Sequence, residues 1–179
     1  GSIPCYGDSN TVASVRRMFS YVFDPSTPRG GGLPQLALSS LAGPFSFAKR
    51  TFIPIPLRHG TLPVLGYRLG AFAYLTDCSE ILEMSWHLLK DLDVLVLDAL
   101  RHRPHSTHFN IEQAVEATKR IGARRTYFTH MTHDLPHDET SAELPNGVTL
   151  AHDGLVLEVD EQINVAALSG TVNSIPLIN

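Results

Sequence analysis

The sequence predicts an α/β fold built in layers, and two features predict it. Short apolar runs alternate with segments of helical period in the order strand, helix, strand, helix, strand. Three of those runs, residues 73–77, 94–98 and 125–130, stop at Asp77, Asp98 and His130, each able to bind a metal or carry a proton. A short continuous apolar run reads as a strand buried on both faces, so a carboxylate or imidazole at its end emerges at the rim of the sheet. In α/β sheets, ligands gather outside those strand ends.

Taken in order, Ile3-Pro4-Cys5-Tyr6 reads as a brief strand, and the Gly7-Asp8-Ser9 turn offers N-caps for a helix running to about Phe23 on Val12, Val15, Met18, Phe19 and Val22. From Asp24 to Gly43 the composition shifts to Pro, Gly and Ser, which predicts a long surface loop or lid. Its Gly30-Gly31-Gly32 triplet lacks the helix and the Lys-Ser/Thr of a phosphate-cradling loop. A β-meander follows: Phe45–Pro56 ending in Leu57-Arg58-His59-Gly60, then Val64–Leu69, then Phe72–Leu75, delivering His59 and Asp77 to strand ends.

Ser79 reads as the N-cap of a helix over about 80–91, with Ile81, Met84, Leu88 and Leu89 as its apolar stripe. The strand Val94–Leu97 leads to a histidine-rich segment, 101–108, after which Asn110 caps a helix that Gly122 ends. Arg125–Thr129 delivers His130. A short helix near 138–143, a Pro145-Asn146-Gly147 turn and strands 148–151 and 154–159 complete the compact part. Residues 160–179 form a tail without a clear period, so the domain is expected to span 1–159.

Composition excludes several classes. With 179 residues and 43% hydrophobic content the chain can bury a core. A net charge of -4 leaves no basic footprint for nucleic acid, and no apolar run reaches the roughly 20 residues that span a bilayer. A cytoplasmic protein is the expectation. Cys5 and Cys78 stand alone, which indicates neither a disulfide framework nor a thiolate zinc site. Nine histidines are the unusual feature. A carboxylate can bridge two divalent cations while neutral imidazoles fill terminal positions, and two cations about 3.5–4 Å apart can activate a water and stabilise a leaving oxygen. His59, Asp77 and His130 have the residue types such a pair needs. Spacing alone also allows three unrelated loop-end residues.

The stretches 62–68, 72–79 and 95–101, with His105-Ser106-Thr107-His108-Phe109 and Thr129-His130-Met131-Thr132-His133-Asp134-Leu135, resemble the metallo-β-lactamase-fold hydrolases. Within them they look most like the phosphodiesterases of phosphonate breakdown that open phosphoribosyl cyclic phosphate, over roughly residues 3–159. The resemblance implies a sandwich of two mixed sheets between helix layers, a two-metal site for zinc or manganese, and a small phosphodiester substrate. It implies His59 as ligand to a first metal, Asp77 as the bridging carboxylate, His130 as ligand to the second, and His108 as the general acid for the leaving oxygen. His133 corresponds to a ligand of a structural zinc whose cysteine partners this chain lacks, so it is expected at the surface or behind the site.

One departure matters. The family's His-x-His-x-Asp-His signature occurs nowhere in the chain. The resemblance then implies a fold truncated at its N-terminal side, weak metal binding, and an unpaired sheet edge that a homodimer would cover. Two functions follow as expectations: a metal-dependent phosphodiesterase, or an inactive fragment or binding module that keeps the fold.

Overall fold

The computed structural model describes residues 1–28 and 30–159, so the tail 160–179 lies outside the described residues. The chain opens with β1 (Ile3–Gly7), α1 (Ser9–Met18) and α2 (Ser20–Phe23). Asp8 caps α1 by accepting from the backbone N–H of Asn10 and Thr11 and from the Thr11 hydroxyl. Burial raises its pKa, but those hydrogen bonds outweigh it and hold the carboxyl below its usual range. No residue of α1 or α2 is buried, and the expected single helix to Phe23 is broken at Phe19, whose backbone leaves helical geometry. The expected loop over 24–43 contains a strand, β2 (Leu36–Ser40), paired in parallel with β1 from Ile3–Leu36 to Gly7–Ser40.

The remaining strands make one eight-stranded sheet: β3 (Phe45–Phe47), β4 (Arg50–His59), β5 (Leu62–Leu69), β6 (Phe72–Leu75), β7 (Glu80–Ile81), β8 (Val94–Asp98), β9 (Arg125–Thr129) and β10 (Val148–Leu150). Their order is β10-β9-β8-β6-β5-β4-β3, with β7 beside β4. β4, β5 and β6 are an antiparallel meander, and β6, β8, β9 and β10 are parallel. Two antiparallel steps restore direction, so β4 runs the same way as β6, β8 and β9. Their C-terminal ends therefore share one rim, and this topology brings residues 59, 77, 98 and 130 together.

The core lies between this sheet and α3 (Ile111–Ile121), with Ile55, Leu57, Leu75, Leu95, Leu97 and Phe128 meeting Ile111, Ala114 and Ala117. Asn110 closes a capping box with Gln113, and Gly122 in the left-handed region ends the helix. A short α4 (His137–Glu143) precedes β10.

Four further expectations are corrected. Residues 80–91 are not an α-helix: Glu80–Ile81 pair with β4, and a 3-10 helix spans Glu83–Leu89. Ser79 caps nothing, because its hydroxyl accepts from Gly60 N–H and lies 3.3 Å from the Arg58 carbonyl. Residues 154–159 form no strand, the chain having turned at Gly154 with φ +82°. Burial on both faces holds for β8 alone of the three runs. Tyr74 of β6 is instead exposed in an apolar groove of about 420 Å³ lined by Tyr6, Phe45, Phe47, Phe52 and Tyr67 among others.

Candidate metal centre

The site grows from turns at three strand ends. After β4, Gly60 takes φ +62°, and its N–H bonds to Ser79 Oγ at 2.9 Å. After β6, Asp77 takes φ +55°, and after β9, His130 takes φ +63°. Left-handed backbone is uncommon for residues other than glycine and concentrates where side chains are held for function. Asp77 and His130 share it on one rim of the sheet, with β8 between their strands.

The side chains converge. His59 Nε2 lies 3.1 Å from His108 Nε2, and His130 Nε2 lies 3.6 Å from Asp77 Oδ1. The rings of His108 and His130 are 4.7 Å apart, and one donor atom from each of His59, Asp77 and His108 lies within 4.8 Å of the others. Asp77 and His130 are half exposed, so the cluster opens to solvent on their side. The tight trio of donors is thus His59, Asp77 and His108, while the expected ligand His130 joins the group beside Asp77 and His108, and such a set suits zinc, manganese or iron.

His108 is the inner member of the group. Its Nδ1 lies 3.2 Å from Oδ2 of Asp98, whose carboxylate is fully buried. Asp98 Oδ1 also accepts from Cys78 N–H at 3.2 Å and Cys78 Sγ at 3.0 Å. Burial pushes the Asp98 pKa up against these hydrogen bonds, and burial lowers that of His108, with His130 and His59 adding to the fall. The Cys78 thiol is driven up by burial and by Asp98, so it stays protonated and donates. With Nδ1 engaged by Asp98, the Nε2 of His108 faces the cluster.

Asp98 is thus not the open rim residue that its strand end suggested. It sits beneath the rim as the anchor of His108, and its position at the end of an entirely buried strand was the available signal. His133 stays apart: its side chain is fully exposed, with Asp134 Oδ1 3.6 Å away. The segment 101–108 is fastened beside the cluster. Arg101 donates to the carbonyls of Arg103 and Pro104, Arg103 pairs with Asp134, and Asn110 Nδ2 holds the His102 carbonyl.

An α/β sheet whose strand ends carry histidines around a carboxylate is the arrangement of the metallo-β-lactamase fold. Residues 1–131 match the beta-lactamase superfamily domain, and the chain belongs to that family. The crystal structure of a diphosphatase from the PhnP family is similar at a TM-score of 0.80 and 39% identity, over 89% of this chain and 60% of that one. Zn(2+)-bound PqqB from Methylobacterium extorquens shares the fold at a TM-score of 0.62 and 17% identity, over 88% of this chain and 65% of that one. An octanoyltransferase of Porphyromonas gingivalis is 34% identical over 159 residues, which is 88% of this chain and 32% of the relative. The chain accordingly spans about a third of that curated relative and 60% of the diphosphatase. No helix among the described residues is long and apolar enough to cross a membrane.

Proposed function

We propose that this chain contributes to a divalent-metal-dependent hydrolase of small phosphodiesters, with His59, Asp77 and His130 as metal ligands and His108 as proton donor. The observation that supports it is the convergence of those four side chains at one rim, two of them on left-handed backbone. Asp77 supplies the exposed carboxylate of the group, and with His59 and His130 it would hold the metal. When bound, a divalent pair would supply the activated water and offset charge on the phosphoryl oxygens.

The protein's own residues handle the proton. Asp98 stays buried and holds the His108 ring through Nδ1, which leaves Nε2 to give its proton to the departing ester oxygen as the P–O bond breaks. Water adds to phosphorus in that bond's place, so the products are an alcohol and a phosphomonoester.

A second reading, hydrolysis of a diphosphate, draws support from the diphosphatase at 39% identity. Both reactions place a phosphoryl group over the same side chains, and they differ in leaving group. The non-catalytic alternative, a binding module without a complete site, draws on the missing His-x-His-x-Asp-His stretch.

Metal content after dialysis against zinc or manganese, followed by turnover of bis-para-nitrophenyl phosphate and of a nucleoside diphosphate, separates the three. Retained metal with diester turnover that Asp77→Ala abolishes supports the first reading. Turnover of the diphosphate alone supports the second, and no bound metal with no turnover supports the third.

A further inference from the structure

His105 is the histidine beside this cluster that the proposed reaction does not use. Its ring centre lies 5.2 Å from that of His108, and it is half-buried. Its Nδ1 accepts the backbone N–H of Thr107 at 3.4 Å and lies 3.2 Å from Thr107 Oγ1. A backbone N–H can only donate, so Nδ1 must present a lone pair, and the neutral ring carries its proton on Nε2. The protein thereby fixes one tautomer of an imidazole next to a candidate phosphoryl site.

The loop that carries His105 is braced before any ligand arrives. Arg101 spans the carbonyls of Arg103 and Pro104, each at 3.3 Å, and Asn110 holds the His102 carbonyl at 3.1 Å. On the site side, Thr107 packs against the turn after His59. A Cβ at Gly60 would come within 2.9 Å of Thr107 Cγ2, so the approach requires glycine there. The loop's charged residues are Arg101 and Arg103, and the carboxylate paired to it is Asp134, taken up by Arg103. A fixed donor on a braced loop of this sign suits an anion, because its ordering cost is already met.

We propose that His105 is a substrate-binding residue, donating its Nε2–H to a non-bridging oxygen of the phosphoryl group held beside His108. This rests on the phosphoester reading above. The contact exists in the ground state as well as the transition state, so its loss weakens binding and leaves the chemical step nearly unchanged. A hydrogen bond to a charged oxygen corresponds to about a tenfold change in affinity or more.

The test begins with the wild-type protein, zinc-loaded and 15N-labelled at histidine. Long-range proton–nitrogen correlation should show His105 as the Nε2–H tautomer, and inorganic phosphate should move that signal. Kinetics on bis-para-nitrophenyl phosphate should give His105→Ala a KM roughly tenfold higher, a kcat within about twofold of wild type, and phosphate inhibition weakened in parallel. An Nδ1–H tautomer, or a His105 signal that phosphate does not move, overturns the assignment. So does an unchanged KM and phosphate inhibition constant in His105→Ala. If wild type hydrolyses no phosphoester, the reaction reading fails by itself, and the tautomer and phosphate titration still decide the role of His105. Thr107→Val, which keeps the backbone donor and removes the hydroxyl, guards against a folding defect and should retain the tautomer.

Discussion

Asp98 and His108 form a buried carboxylate–imidazole pair at 3.2 Å, with the carboxylate wholly out of solvent. Because Asp98 takes Nδ1, the ring can turn only Nε2 toward the cluster. Asp98→Asn should therefore slow hydrolysis of a diester with an alkyl leaving group by about 10–100-fold. His108→Asn should slow it by about 100-fold or more. A para-nitrophenyl ester should be far less affected, since its leaving oxygen departs without a proton. Equal losses on both esters would remove His108 from the proton-donating role and leave it a structural histidine.

Arg68 gives a second test, in the scaffold. It is 1% exposed, and its guanidinium donates to the carbonyls of Gly70 at 2.7 Å, Leu88 at 2.6 Å and Lys90 at 2.8 Å. Those last two carbonyls belong to the end of the 3-10 helix, which has no regular partner for them. Arg68→Met would strand three carbonyls and should lower unfolding stability by about 3 kcal/mol or more, read by urea denaturation. Arg68→Lys should recover only part of the loss, because its three N–H bonds radiate from one nitrogen, whereas the guanidinium reaches Gly70 through Nε and the helix end through Nη1.

The same arginine shows where sequence reading stopped short. Periodicity found the apolar stripe of residues 81–89, but an α-helix and a 3-10 helix bury nearly the same residues over so short a span. Contacts from distant residues decide it: Arg68 takes the terminal carbonyls, Ser85 Oγ donates to Pro56 O at 2.6 Å, and Ser79 is drawn to the Gly60 turn. None of these has a local signature. By contrast β8 and α3 were legible, because an unbroken Val-Leu-Val-Leu run and the Asn110–Gln113 and Gly122 caps are local devices. His59, Asp77, His108 and His130 were singled out by residue type and resemblance, and the structure brings all four together. The depth of Asp98 and the tautomer of His105 depend on what surrounds them.

Gly66 sits where the two strands carrying His59 and Asp77 approach through β5. A Cβ there would collide with Leu75 Cδ2 and lie 3.0 Å from both Leu57 Cδ1 and the Tyr74 carbonyl. Gly66→Ala should cost about 1–3 kcal/mol by overpacking, as a lower urea midpoint. Since Leu57 and Leu75 lie two residues before His59 and Asp77, zinc affinity should fall with it. Gly43→Ala, where an added Cβ meets nothing within 4 Å, is the control and should leave both quantities unchanged.

Asp93 fixes the acid side of the stability profile. Its carboxylate pairs with Arg124 and, at 2.7 Å, with Arg125 Nη2, just before β8 and at the start of β9. The hydrogen bonds from Arg124 and Arg125 hold its pKa below the ordinary 3.8. A carboxyl whose folded pKa is depressed stabilises the fold above its unfolded pKa, and that contribution is lost as pH falls through the folded value. Thermal melts should thus show wild type above Asp93→Asn at pH 6, with the gap closing below about pH 4. The pair is accessible to water, so the gap should also narrow as salt rises from 0.05 to roughly 0.5 M. A gap that persists unchanged at pH 3 would mean that Asp93 acts through packing or neutral hydrogen bonds, and the ion pairs would then contribute nothing to holding β8 and β9 in register.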